Sequence, residues 1–349
     1  MIESKNDVFK VGDQIERQIR ITITGKIAEG GMGEVYEAIL HGAVGYKKRV
    51  AVKVVRSELQ LTGDQDEDIV QFEKQAFFLL QLVDEAKLVS DLIHTHIAQI
   101  YFMHVWNRDE DDASGFVVME YVNGVNLKSF IDKHVANGIP MPVEIAVYIA
   151  SRVARALEYA HNHKDKAGKN LGIVHRDVTP SNVMIYIEGV VKLTDFGIAQ
   201  AVHQHADSTG MVVGKEGYMA PEQRRGEAVD AGADIFSLGL MLFELLAGRL
   251  AEPATPERKI ESISSDRKDV SEEVEKIIQS CTCWERKDRY ANMSTIAWDM
   301  EHIIYGSGKG PTFVELADYL KELFPSLCSI HTTDESTHSV EIDKTIIGN

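Results

Sequence analysis

Val174-His175-Arg176-Asp177-Val178-Thr179-Pro180-Ser181-Asn182-Val183-Met184-Ile185 sets a carboxylate and a carboxamide, Asp177 and Asn182, five positions apart on a polar stretch running into an apolar one. A polar segment that gives way to Val-Met-Ile reads as a loop entering a strand. A short turn at Glu188 and Gly189 then returns the chain through Val190 to Leu193, and Thr194-Asp195-Phe196-Gly197 follows at once. Two strands joined by a tight turn bring their outer ends together. Asp177, Asn182 and Asp195 are therefore expected at one place, as a candidate catalytic loop.

Working outward, Ile21 and Ile23 alternate with Thr22 and Thr24, and Ile27 leads into Ala28-Glu29-Gly30-Gly31-Met32-Gly33-Glu34-Val35. This reads as strand, glycine-rich turn, strand. Such glycines let backbone amides approach phosphates closely, although an ordinary hairpin satisfies the same pattern. Arg49 to Val55 is an apolar strand interrupted by Lys53, which either snorkels at an edge or needs a counter-charge. Phe116 to Met119 is a strand that ends in the connector Glu120-Tyr121-Val122-Asn123-Gly124. Ile145, Ile149, Val153, Ala156, Leu157 and Ala160 mark a helix over 143–162 that supports the loop, and further apolar helices are expected from Asp234 to Leu246 and from Val314 to Leu323.

The 349 residues are 44% hydrophobic and 26% charged, the composition of a globular chain with a sizeable core. A net charge of −17 argues against nucleic acid or an anionic membrane surface as the main partner. No apolar run reaches membrane-spanning length and Met1 to Asp13 lacks a signal-peptide core, so a cytoplasmic protein with no membrane span is expected. Cys281, Cys283 and Cys328 do not form a disulfide framework, and neither Cys281-Thr-Cys283 nor the pairs His94/His96 and His203/His205 has the complement of ligands that a metal site needs.

Glu29-Gly-Gly-Met-Gly-Glu-Val-Tyr36, Leu171-Gly-Ile-Val-His-Arg-Asp-Val-Thr-Pro-Ser-Asn182 and Gly217-Tyr-Met-Ala-Pro-Glu-Gln223 are specific strings in a specific order. From about Ile21 to Tyr305 the chain resembles the eukaryotic-like (Hanks-type) Ser/Thr protein kinases of bacteria. The resemblance implies an α+β, two-lobed protein kinase fold: an N-lobe antiparallel β-sheet plus one helix, a mainly α-helical C-lobe, and ATP between them. Boundaries follow as an extension at 1–20, a kinase domain at 21–326 (N-lobe 21–121, C-lobe 122–326) and a flexible, acidic, Ser/Thr-rich tail at 327–349. The implied activity is transfer of the γ-phosphoryl group of Mg-ATP to Ser/Thr hydroxyls of proteins, itself included, in signalling, with Mn2+ as an alternative metal.

By the same resemblance Asp177 accepts or orients the acceptor hydroxyl, Asn182 and Asp195 hold the metal, and Lys53 binds phosphates while pairing with a helical glutamate. Glu85 is chosen over Glu73 because it lies nine positions before His94, the family's usual offset. ATP would be lined by Ile27, Ala28, Glu29, Gly30, Gly31, Met32, Gly33, Glu34, Val35, Ala51, Lys53, Met119, Glu120, Val122 and Met184. Asp234 would brace the catalytic loop, His175 would pack on Phe196, and Arg289 would pair with Glu222 of Ala-Pro-Glu. Ser208 and Thr209 are candidate phosphosites in the segment between Asp195 and Glu222.

Four departures stand out. Ala28 replaces the first loop glycine, Thr179 stands where most Ser/Thr kinases carry a lysine that touches the γ-phosphate, and Lys215 where many relatives have threonine. The stretch 64–83 is an acidic and then apolar insert, proposed as a dimer or regulatory-partner surface against the simpler reading of extra core. Two other classes stay open: a pseudokinase scaffold that binds nucleotide without turnover, and a small-molecule kinase, against which the activation segment and the Glu222/Arg289 pair argue.

Overall fold

The computed structural model describes residues 20–30, 33–56, 87, 89–107, 113–196 and 216–329. The candidate Glu85, the insert 64–83, Gly31, Met32, Gly197, Ser208, Thr209, Lys215 and the segments 1–19 and 330–349 lie outside these residues.

Strands β1 (Arg20–Gly30), β2 (Gly33–His41), β3 (Lys47–Arg56), β4 (Ile100–Asn107) and β5 (Ala113–Glu120) form an antiparallel sheet in the order β1-β2-β3-β5-β4. The two-residue period of a strand decides which face each side chain takes. Val50 and Val52 of β3 join Ile21, Ala38 and Val118 in a small cluster on one face. Ala51, between them, joins Val117 and Met119 in the main core on the other face. Lys53 follows Ala51 by two and so shares its face, with only 6% of its surface exposed.

Past β5 the short strand β6 (Gly124–Asn126) pairs with β7 (Val183–Tyr186), and β7 with β8 (Val191–Leu193), in a second, three-stranded sheet. The rest is helical: α1 (Leu127–Asn137), α2 (Val143–His161), α3 (Pro221–Arg224), α4 (Ala231–Ala247), α5 (Glu272–Cys281), α6 (Met293–Tyr305) and α7 (Phe313–Leu323). Local chemistry sets their ends. Asn126, Asp230, Ser271, Asn292 and Thr312 cap N-termini through side-chain oxygens, and Gly138 and Gly248 close α1 and α4 in the left-handed region. Helix α4 is buried along nearly its whole length from Ala233 to Leu246, as expected of a helix apolar on all faces, and it forms the centre of this half.

After α7 the chain continues in a 3-10 turn over Pro325–Ser329, and Leu327 packs against the main core. The ordered fold thus runs past the tail boundary expected at residue 327. Among the described residues no helix is long and apolar enough to cross a membrane.

Candidate active site

The catalytic-loop candidates are assembled by their own backbone. Asn182 N donates to Thr179 O (3.0 Å), and Asn182 Nδ2 donates both to Asp177 O (2.8 Å) and to Asp177 Oδ2 (2.7 Å). Thr194 N and Oγ1 both donate to Asn182 O, at 2.8 and 3.0 Å, which docks the start of the second segment onto the end of the first. Asp195 follows directly, and its Oδ1 accepts from Lys53 Nζ at 2.8 Å. A β3 side chain of the five-stranded sheet and a residue beside the three-stranded sheet therefore meet across the cleft. Lys53 is nearly buried, and a buried ammonium requires such a counter-charge.

Two residues here hold left-handed backbone without being glycine: Arg176 at φ 67° and Asp195 at φ 60°. Such conformations are sparsely populated and persist only where surrounding contacts over-determine them. Those contacts are present. Asp234, wholly buried at the start of α4, accepts from His175 N (2.8 Å) and Arg176 N (2.7 Å), while Gln223 Nε2 donates to Arg176 O (2.9 Å). His175 accepts from Asp177 N through Nδ1 (3.2 Å), so its proton sits on Nε2 and is donated to Thr194 O (2.9 Å). Its ring lies 4.6 Å from that of buried Phe196.

Burial works to raise the Asp234 carboxyl, but the bond to His161, the nearby imidazoles and the backbone amide outweigh it and hold it below the ordinary range. Asp234 is thus an anion. His161 Nε2 reaches its Oδ2 at 2.7 Å. His161, Gln223 and Thr194 were not among the sequence candidates. Their signal lies in contacts between elements 73 residues apart (His161 and Asp234) and 47 apart (Gln223 and Arg176), which periodicity does not report.

Of the nucleotide candidates, Ala51 and Met119 pair across β3 and β5, and both are buried, as is Val122; Val35 lies against the main core and pairs with Lys53 and Ala28. Met184 is half-buried on β7, next to the catalytic loop. The Glu120 side chain is taken up by Lys192 Nζ (2.9 Å) and Gln99 N (3.2 Å). Only its backbone carbonyl is left for a ligand. Gly30 and Gly33 pair at the mouth of the first hairpin, with Gly33 at φ 124°. Lys26 clamps Glu29 and Glu34 at 2.5 and 2.7 Å on either side of the turn. Ile27 is half exposed, at 49%. The β1 register slips between Lys26 and Ala28, so the strand is irregular where Ala28 replaces a glycine.

The donor set suits a hard divalent cation. Asp195 has a second carboxylate oxygen besides the one on Lys53, and Asn182, its amide nitrogen committed to Asp177, offers its carboxamide oxygen. Among the described residues no group of three or more His, Cys, Asp or Glu could hold a metal alone. The remaining ligands would come from phosphate and water, the usual arrangement for a cation bound with a nucleotide.

A family model described as protein kinase domain matches residues 21–300. A protein of Myxococcus xanthus named tyrosine-protein kinase MasK is 33% identical over 86% of this chain and 45% of its own length. A probable serine/threonine-protein kinase PknB of Lactococcus lactis is 29% identical over 80% and 41%, and the serine/threonine-protein kinase PrkC of Bacillus subtilis 35% over 66% and 31%. The chain spans less than half the length of these relatives. Among solved structures, the Mycobacterium tuberculosis PknI kinase domain superposes with a TM-score of 0.56 at 23% identity, over 87% of this chain and 95% of that one. That likeness is one of fold.

Proposed function

Because the chain belongs to the protein kinase domain family, whose members use ATP and a divalent metal, we propose that it transfers the γ-phosphoryl group of Mg-ATP to Ser and Thr hydroxyls of proteins. The observation that carries this reading is the continuous chain of contacts from Lys53 through Asp195, Thr194 and Asn182 to Asp177. One step uses all of it. The acceptor oxygen forms a bond to the γ-phosphorus, the bond to the bridging oxygen of the β-phosphate breaks, ADP leaves, and the acceptor proton passes to the Asp177 carboxylate.

Lys53 holds phosphate oxygens, with Glu85 as its partner on the sequence reading. Ala51, Val35, Met119, Val122 and Met184 enclose the base, and the Glu120 carbonyl bonds its edge. Asn182 and Asp195 hold the cation, Mg2+ by preference and Mn2+ as an alternative, and the cation neutralises charge that builds on the phosphates. Ser208 and Thr209 are proposed sites of autophosphorylation. The insert 64–83 is proposed as a dimer or partner surface, an idea lost if polar substitutions at Phe77 and Phe78 leave mass and activity unchanged. A cytoplasmic, signalling role accompanies this reading.

The experiment is incorporation of labelled γ-phosphate into the protein and a generic acceptor, with Asp177→Asn beside it and phosphosite mapping after. Label in wild type and not in the variant supports a working enzyme. Nucleotide binding with no label in either would move the reading to a scaffold.

A further inference from the structure

Val178, Thr179, Pro180 and Ser181, the four residues between Asp177 and Asn182, carry no charge. The turn they form is closed by the three Asn182 bonds to Thr179 and Asp177, so its shape is set without help from a ligand. Within it Val178 is fully buried, Pro180 is buried, and Thr179 is 1% exposed. These side chains fold inward, away from the solvent face of the loop. Thr179 Oγ1 is buried and finds no hydrogen-bond partner among the described residues. A buried hydroxyl left unpaired is unfavourable, and such an atom beside a catalytic group calls for an explanation.

We infer that position 179 determines which hydroxyl the site accepts, and that with threonine there the site phosphorylates the phenol of tyrosine as well as the hydroxyls of serine and threonine. This rests on the kinase reading above. Two physical arguments carry it. A phenol oxygen lies several bonds farther from its backbone than a serine oxygen, so the ring occupies the space next to Asp177. No long side chain from 178–181 fills that space.

The second argument is acidity. With no cation on this stretch to stabilise charge on the transferring group, an acceptor that releases its proton readily is favoured, and a phenol titrates near ~10, far below an aliphatic hydroxyl. The balance of the step is unchanged. The phenol oxygen bonds the γ-phosphorus, the bond to the β,γ-bridging oxygen breaks with its electron pair leaving on ADP, and the phenol proton goes to Asp177.

The test uses the full chain with labelled Mg-ATP and three peptides identical but for Ser, Thr or Tyr at one position, together with phosphoamino-acid analysis of the self-labelled protein. Wild type is expected to label the Tyr peptide with kcat/KM within about tenfold of the Thr peptide. Thr179→Lys, which puts a long cation beside Asp177, is expected to lower the Tyr-to-Thr ratio by about tenfold or more, while the isosteric Thr179→Val keeps it within about twofold. The ratio compares two acceptors in one preparation, so loss of folded protein cancels, and if the lysine variant is inactive the wild-type ratio decides. Label on Ser and Thr but not on Tyr overturns this inference alone, as does a ratio unmoved by Thr179→Lys. No label on any acceptor or on the chain itself overturns the kinase reading, and this one with it.

Discussion

Arg289 and Glu222, 67 positions apart, meet in a two-pronged ion pair: Nη1 to Oε1 at 2.7 Å and Nη2 to Oε2 at 2.8 Å, with side chains 0% and 2% exposed. Arg289 also donates to the carbonyls of Cys283, Gly232 and Trp284, which fixes α3 to the loops before α4 and α6. Glu222→Ala leaves that guanidinium buried without its counter-charge, so urea unfolding is expected to show a loss of about 3–5 kcal/mol. A loss under 1 kcal/mol, by contrast, would mean that the carbonyls alone satisfy the arginine.

The same pair predicts a pH dependence. Burial tends to raise Glu222, but Arg289 and the neighbouring Arg286 outweigh it and hold it below its ordinary value of 4.5; Asp234 is likewise held below 3.8. A carboxyl depressed by folding contributes stability that is complete above its unfolded pKa and is lost as pH falls through the folded one. The urea midpoint is therefore expected to be flat over about pH 6–8 and to drop below about 4.5, with Glu222→Gln lower at neutral pH and less steep in acid. A midpoint that rose on acidification would contradict this sign.

Much of this architecture was legible because it follows from local pattern. Alternation in β3 put Lys53 on the face of Ala51, and the turn at Glu188-Gly189 returned Asp195 to Asn182. What was not legible lies in contacts between distant elements. Lys192, read only as part of a strand, holds Glu120 across 72 residues, and His161, read as the end of a supporting helix, holds Asp234. Neither spacing nor hydropathy marks a polar side chain whose partner is set by packing. The 3-10 turn after α7 was missed for a related reason: Leu327 supplies one apolar contact in a polar stretch, too little to give a period.

Gly189 shows how closely α7 is seated on the turn between β7 and β8. It adopts φ 83°, and a Cβ there would lie 1.7 Å from Phe313 O and 2.7 Å from Ala317 N. Gly168, at φ 81°, has nothing within 4 Å of the same position. Gly168→Ala is expected to cost only the left-handed backbone penalty, about 1 kcal/mol, and Gly189→Ala at least about 2 kcal/mol because α7 must also shift. Thermal unfolding of the two variants side by side separates them, and equal losses would show that α7 yields freely.

His161 makes the closing case, because its effect should appear in turnover more than in nucleotide binding. Its Nε2 sits 2.7 Å from Asp234 Oδ2, the oxygen that also receives His175 N, while Oδ1 receives Arg176 N. Asp234 is what holds Arg176 in its left-handed conformation, and Arg176 immediately precedes Asp177. Removing the imidazole leaves a buried carboxylate free to tilt, and a tilt moves the backbone on which the proposed base is mounted. Lys53, Ala51 and Met119, on the other sheet, are untouched. His161→Leu is expected to lower kcat by about tenfold to a hundredfold with KM for ATP within about twofold, since small misplacements of a catalytic group are costly. His161→Gln, which keeps an N–H donor, should recover most of the loss. Equal changes in kcat and KM, or no rescue by glutamine, would show that the histidine serves packing rather than the placement of Asp177.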